Sequence, residues 1–163
     1  MSGFRATARG ITARFDRSDA QLIAGLATQI AGLLAGRDDL AGDPVIERLL
    51  PDAYRDNEKD ADEFRHFTES DLADDKIRSA LGMAELLSPE AEGADGKVRI
   101  VLEHETALDW MRSFTDIRLA LAARLGIVDE TTPIRIDAET PSTLAVYNWL
   151  GGLQWSLVKA IDK

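Results

Sequence analysis

The sequence predicts a mainly α-helical domain of α+β type: a bundle of about four to six helices with a small antiparallel sheet. Apolar residues recur at three- and four-residue steps in several long segments, which is the pattern of amphipathic helices. Short alternating segments near residues 4–15 and 97–103 are typical of strands. With 163 residues and 45% hydrophobic content, we expect one domain over residues 1–163.

Two alternating segments define the predicted sheet. Residues 4–15 alternate in two runs that meet near Arg9-Gly10, which predicts an N-terminal β-hairpin. Residues 97–103 are rich in β-branched side chains and alternate in the same way. Because an isolated hairpin is only marginally stable, we expect this third strand to pair with it.

The other regular segments have helical periodicity. The predicted helices cover residues 18–35, 44–50, 68–87, 106–127 and 142–161. Ser18 with Gln21 resembles a capping box for the first helix, and Gly36 is a natural stop. Thr68 or Ser70 is expected to cap the third helix.

Two glycines raise the question of oligomeric state. Gly25 and Gly32 share one side of the first helix, and each weakens it by roughly 0.5–1 kcal/mol relative to alanine. Close approach of another backbone would recover that cost. The partner is either another part of this chain, which we favour, or a second subunit, so a homo-oligomer remains an alternative.

One charged residue breaks the pattern of the helix predicted over residues 106–127. Arg118 lies near the centre of the apolar face, whereas Asp116 falls on the opposite face. A buried guanidinium must be satisfied, because an unpaired charge in an apolar environment is costly. Its candidate partners are a carboxylate such as Glu63 or Asp116, the carbonyls of a neighbouring element, or a bound anion. We favour an internal pair that fixes the register of the helices.

The last helix carries a second inward polar residue. Gln154 lies near the centre of its apolar face and, with Arg118, Asp116 and Glu63, forms the candidate buried polar or ligand site. Trp149 and Trp155 fall toward the flanks of the same helix, where an exposed indole would mark a contact surface.

The strongly acidic segment 52–75 supplies a second candidate surface. The run around Asp56 lacks the central glycine and the ligand spacing of a calcium loop, so we predict no metal site there. A solvated face is the plain interpretation. The functional alternative is a surface for a basic partner that includes Asp60, Asp71 and Asp74.

Composition narrows the classes of function. The formal net charge of −10 argues against direct binding of nucleic acid or an anionic membrane. Three hairpin arginines, Arg5, Arg9 and Arg14, leave nucleic acid as a third hypothesis. The absence of cysteine excludes disulfides and thiol switches within this chain and fits a cytoplasmic location. No apolar run approaches the roughly 20 residues of a membrane span, and MSGFRATARG has no signal-peptide core.

Catalytic and cofactor motifs are sparse. His66 and His104 form no HExxH zinc motif, and no serine lies in a G-x-S-x-G turn. Neither a P-loop nor a G-x-G-x-x-G turn is present. We therefore predict no metal, no cofactor and no catalytic residue, and the sequence favours a protein that is not an enzyme.

Four segments resemble the actinobacterial domain of unknown function 2017, and they cover nearly the whole chain. They are RFDRSDAQLIAGLATQIAGLL, AYRDNEKDADEFRHFTESDL, ALDWMRSFTDIRLALAARLGI and VYNWLGGLQWSLVKAI. The most specific pieces are Asp116-Ile117-Arg118-Leu119, Arg124-Leu125-Gly126, Tyr147-x-Trp149-Leu150 and Leu153-Gln154. Thr115 stands where asparagine is common in that family.

The resemblance implies a cytoplasmic actinobacterial protein, often encoded beside the adaptor that feeds N-degron substrates to the Clp protease. It implies no established catalysis, and it links the family to transcriptional control under oxidative stress through a cysteine-based switch. This chain has no cysteine, so that switch cannot operate within it.

We interpret the chain as a non-enzymatic regulatory or protein-interaction domain. Its unidentified protein partner would belong to transcriptional stress regulation or to Clp proteolysis. The alternative is a small-molecule domain, or a minor enzyme, in which Arg118 holds an anion.

Overall fold

The computed structural model describes residues 3–40, 42–51, 59–127 and 140–163, with side chains described outside 59–69. The elements in order are β1 (Arg5–Thr7), β2 (Gly10–Asp16), α1 (Arg17–Ala35), α2 (Pro44–Leu49), α3 (Lys59–Leu86), β3 (Lys97–Leu102), α4 (His104–Leu125) and α5 (Thr140–Ile161). The predicted mainly helical α+β class is confirmed. Within this part of the chain, none of the helices combines the length and apolarity that a membrane crossing requires.

The three strands form one antiparallel sheet in the order β1-β2-β3. The hairpin turn is closed by Thr7, whose hydroxyl donates to the Gly10 carbonyl oxygen at 2.9 Å and accepts from the Arg9 N–H at 3.2 Å. β3 pairs with β2 along its whole length. The predicted hairpin, the third strand and their pairing are therefore confirmed.

One face of the sheet packs on an aromatic cluster centred on Phe4. The Phe4 ring makes edge-to-face contacts with Phe15, Trp110 and Phe114 at centroid distances of 5.9, 6.1 and 6.1 Å. The Phe4 N–H also donates to Ser156 Oγ of α5 at 3.0 Å. These contacts join the sheet, α4 and α5 in one core.

α4 lies at the centre of the bundle and packs on the other four helices and on the sheet. Its predicted apolar face is mostly buried, with Arg118 half-buried on it. Asp116, which the sequence pattern placed on the opposite face, is buried as well, because a neighbouring helix covers α4 on that side too. Gly126 ends α4 as predicted, in the left-handed conformation with φ of 74°.

α3 begins earlier than the sequence indicated. The predicted start was Thr68 or Ser70, whereas the observed helix begins at Lys59. Residues 59–81 contain no proline or glycine, so nothing in this stretch interrupts a helix once it has formed. Part of the acidic segment is therefore helical.

α1 has the predicted end but not the predicted start. It begins at Arg17, and its N-cap makes no side-chain hydrogen bond, so the capping box predicted from Ser18 and Gln21 was wrong. The close contact expected at Gly25 and Gly32 is not formed either, since no described atom lies within 4 Å of a Cβ added at either position.

Replacing Gly10 with alanine is expected to lower the free energy of unfolding by about 1–3 kcal/mol. Gly10 has a φ of +128°, and an added Cβ would lie 2.7 Å from the Leu102 carbonyl oxygen of β3. The control is Gly25→Ala in the middle of α1, which should stabilise the fold by about 0.5–1 kcal/mol. Urea unfolding measures both changes. Shifts of the same sign would contradict the role assigned to Gly10.

Candidate functional site

The two inward polar residues predicted from the sequence meet in the seam between α4 and α5. Gln154 Nε2 donates to the Met111 carbonyl oxygen at 3.0 Å and to Thr115 Oγ1 at 2.6 Å. Gln154 Oε1 accepts from Arg118 Nη1 at 3.4 Å. A single amide of α5 therefore bridges three residues of α4 with both its oxygen and its nitrogen.

The Arg118 guanidinium lies against α5. Its Cζ is 4.4 Å from the centroid of the Tyr147 ring, which is a cation–π distance. A Cβ added at Gly151 would lie 3.0 Å from Nη2 and 3.1 Å from Cζ, so this glycine leaves room for the guanidinium. Arg118 Nε is buried and has no hydrogen-bond partner among the described groups. The seam is thus a polar contact between two helices in which one N–H donor, Arg118 Nε, lacks an acceptor among the described groups.

Asp116 pairs with α3 and not with Arg118. Its carboxylate accepts a hydrogen bond from Lys76 Nζ at 2.6 Å, and only 4% of the residue is exposed. Residues two positions apart on a helix do not face each other, so Asp116 and Arg118 meet different neighbours. Asp116 was therefore wrong as a partner for Arg118. Glu63, the other proposed carboxylate, has its side chain outside the described residues.

A cleft of about 780 Å³ opens between α3 and α4, with the Lys76–Asp116 pair in its lining. Its apolar lining includes the exposed Leu72 and Leu86 of α3. Charged residues of both signs complete the lining: Asp75, Arg78, Glu85, Asp109 and Arg112. The cleft thus combines exposed apolar side chains with a border of mixed charge.

The two flank tryptophans of α5 differ in exposure. Trp155 is 60% exposed, and Lys159 Nζ lies 5.1 Å from its ring centroid. Trp149 is half-buried and packs against the core. Only Trp155 therefore presents an open indole for contact with another molecule.

The three acidic residues predicted as a surface for a basic partner, Asp60, Asp71 and Asp74, lie on α3. Asp71 and Asp74 are exposed, whereas the side chain of Asp60 is outside the described residues. His104 is exposed at the start of α4. Among the residues whose placement is described, no group of three or more His, Asp or Glu side chains could hold a metal ion. A basic partner for the acidic face stays a prediction.

Sequence reasoning missed Lys76 and Gly151. Lys76 lies between Ala73 and Ala80 on α3, and both alanines are almost fully buried. Small residues one turn before and one turn after a charged one would have indicated a helix-packing face with a buried cation. Gly151 gave a weaker signal, because the sequence does not distinguish it from its neighbour Gly152, which has open space around it in the structure.

Lys76→Met is expected to destabilise the fold by about 3–5 kcal/mol at neutral pH, because the buried Asp116 carboxylate loses its cation. Burial raises the pKa of Asp116 above its ordinary value of 3.8, and Lys76 opposes this shift. The folded protein therefore holds the Asp116 proton more tightly than the unfolded chain does. That contribution to stability is fully present below the unfolded pKa and is lost as the pH rises through the folded pKa.

Removing Lys76 removes the influence that lowers the pKa of Asp116, so the deficit of the variant should shrink on acidification. Urea unfolding from neutral to acidic pH measures the deficit. Arg112→Met, which removes an exposed cation of α4, serves as the control and should change stability little. A deficit that stays constant with pH would contradict the burial of a charged Asp116.

Gly151→Ala and Gly152→Ala form a matched pair on α5. At Gly152 the added methyl meets no atom within 4 Å, so alanine should raise the free energy of unfolding by about 0.5–1 kcal/mol. At Gly151 the methyl crowds Arg118 and disturbs its contact with Tyr147, worth about 0.5–2 kcal/mol, so the gain should vanish or reverse. The difference between the two variants should disappear in an Arg118→Ala background. A stability difference that persists in the Arg118→Ala background would show that crowding of Arg118 is not its cause.

Known proteins resemble this chain in sequence. Proteins named oxidative stress regulator AosR from Mycobacterium bovis and Mycobacterium tuberculosis are 31% identical over 140 residues, which cover 80% of this chain and 63% of theirs. A Mycobacterium leprae relative that carries the AosR name is 33% identical over 147 residues, covering 81% of this chain and 64% of its own length. The match thus spans less than two thirds of each of these relatives. No solved structure matches the chain.

A family model extends the similarity to almost every residue. The model described as Domain of unknown function (DUF2017) matches residues 1–161, a range that includes the α4–α5 seam and the α3–α4 cleft. The resemblance noted in the sequence is therefore confirmed, and this chain belongs to the DUF2017 family.

Proposed function

We propose that this chain is a non-enzymatic regulatory domain that binds a protein partner in the cleft between α3 and α4. The observation that carries the proposal is the exposure of Leu72 and Leu86, 41% and 40%, in the lining of that cleft. Covering such side chains removes apolar surface from water, which is the main source of affinity in most protein interfaces.

The cleft favours an amphipathic helix as the occupant. Two helices form its walls, and a helix laid between them would cover both leucines with one apolar stripe. The charges at the border of the cleft largely cancel, so they give a charged partner little net attraction. Asp75 pairs with Arg78 at 3.1 Å, and Asp109 pairs with Arg112 at 3.2 Å, each within its own helix. Apolar contact would therefore contribute most of the affinity.

We infer the class of partner, a component of stress control, from the names of the relatives. Proteins 31% identical to this chain are named oxidative stress regulators, which supports a role in stress control. This chain contains no cysteine, so a thiol cannot sense an oxidant within it. The chain would then transmit, through its partner, a signal that another component senses. A component of Clp proteolysis, the other partner class implied by the family resemblance, is distinguished by identifying the captured protein.

A second candidate function is the binding of a small anion at Arg118. It is favoured by the buried Nε, which lacks a hydrogen-bond partner among the described groups. Phosphate or acetate should then raise the Tm of the wild-type protein but not that of Arg118→Ala. An equal response of the two proteins, or no response, would reject an anion site.

The cleft is tested by placing charges in it. Leu72→Glu combined with Leu86→Glu should weaken partner binding by about tenfold or more and abolish the transcript response to peroxide in host cells. The matched control is Leu81→Glu, which changes a leucine of the same helix that is 48% exposed and lies outside the cleft lining.

The partner for this test is identified by photocrosslinking from position 79, because Ser79 lines the cleft. We expect one protein to be captured reproducibly and to be lost in the double leucine variant. If the double variant and Leu81→Glu bind and respond alike, the cleft is not the binding surface.

A further inference from the structure

The sheet has a second face, turned away from the aromatic core, that carries several cations. Its register places Arg5, Thr12 and Val101 in one cross-strand row and Arg14 opposite Arg99 in the next. Thr12 is half-buried and the other four residues are exposed. These five residues are called the basic sheet face.

Much of the positive charge on this face is not neutralised locally. Arg5 and Arg14 form no ion pair with any residue in the described part of the chain. Arg99 alone is paired, through two hydrogen bonds of 3.0 and 2.5 Å to the Asp95 carboxylate. Asp16, on the same face two residues after Arg14, pairs with Lys97 and also attracts Arg14. Arg5 and part of the charge of Arg14 therefore stay uncompensated in a chain of net charge −10.

The fold gains little from Arg5 and Arg14, whereas Arg99 is held by Asp95. Like charges directly opposite each other on neighbouring strands destabilise a sheet, and Arg14 lies directly opposite Arg99. Val101, beside them, leaves 51% of its surface in water. Neutral polar side chains would serve the sheet better at positions 5, 14 and 101. The arrangement therefore suits a partner that brings negative charge together with one apolar group.

We propose that the basic sheet face binds an acidic segment of a partner protein, with carboxylates at Arg5 and Arg14 and an apolar side chain over Val101. This surface is separate from the α3–α4 cleft, and its role does not depend on the function proposed for the cleft. Carboxylates of the partner next to these arginines would strengthen the contact and fix the position of the segment on the face.

Two physical features favour a protein segment over nucleic acid. The basic sheet face contains no aromatic side chain on which a base could stack. A long polyanion would also extend beyond the face and meet the acidic remainder of the chain. Screening confines charge interactions to about 8 Å at physiological ionic strength, so a short acidic segment is influenced chiefly by the local arginines.

The test uses a fluorescein-labelled peptide with glutamates on both sides of one leucine, and a second peptide with glutamine in place of glutamate. The wild-type protein should bind the glutamate peptide, more weakly as salt increases, and should not bind the glutamine peptide. Arg5→Glu combined with Arg14→Glu should weaken binding by about tenfold or more. Arg14→Glu also removes the like-charge contact with Arg99, so the variant should fold.

The matched control is Arg124→Glu combined with Lys163→Glu, which makes the same change in net charge at two exposed positions outside the cleft and the basic sheet face. Its affinity for the glutamate peptide should stay near that of the wild type, as should that of the leucine variant of the cleft. Absence of binding, or an equal loss in the control, would overturn the proposal. Tighter, arginine-dependent binding of a single-stranded DNA oligonucleotide would also overturn it, in favour of a nucleic-acid surface.

Discussion

The structure depends on how the neighbours of α4 meet its two opposite charges, the buried Asp116 and the half-buried Arg118. Asp116 and Arg118 lie two residues apart and point away from each other, so they cannot form a pair. α3 supplies Lys76 to the carboxylate at 2.6 Å, while α5 supplies Gln154 and Tyr147 to the guanidinium. The ion pair specifies how α3 lies on α4, because leaving the buried Asp116 carboxylate without its cation costs several kcal/mol. The contacts of Arg118 with Gln154 and Tyr147 favour one position of α5 on the other side of α4.

The way α3, α5 and the sheet pack on α4 also determines which surfaces stay open to other molecules. Lys76 holds α3 against α4 at one point, and the cleft with its exposed leucines opens along the same two helices. The sheet lies on the aromatic cluster of α4, which leaves the basic sheet face turned outward. A cleft of mixed charge and a basic face on an acidic chain are surfaces suited to different partners.

Local patterns in the sequence were sufficient to predict much of this arrangement. The alternation of residues 4–15 and 97–103 identified the sheet, and helical periodicity brought Arg118 and Gln154 to the same seam. The same periodicity could not reveal the cleft, and its signal for Lys76, the small residues Ala73 and Ala80 on either side, was overlooked. It shows which residues avoid water on one face of a helix, but not that a distant helix covers the opposite face. The start of α3 was missed because an acidic run is typical of a solvated loop and of a charged helix alike.

The burial of Asp116 is the feature on which the α3 side of this arrangement depends, and its ionisation can be measured directly. An NMR titration that follows the side-chain carboxyl carbon of Asp116 in the wild-type protein gives its pKa. We expect a pKa above the ordinary 3.8, because removal from water disfavours the charged carboxylate more than Lys76 favours it. The pKa should rise further in Lys76→Met, which removes the ammonium group 2.6 Å from the carboxylate, and an unchanged pKa in that variant would contradict this arrangement.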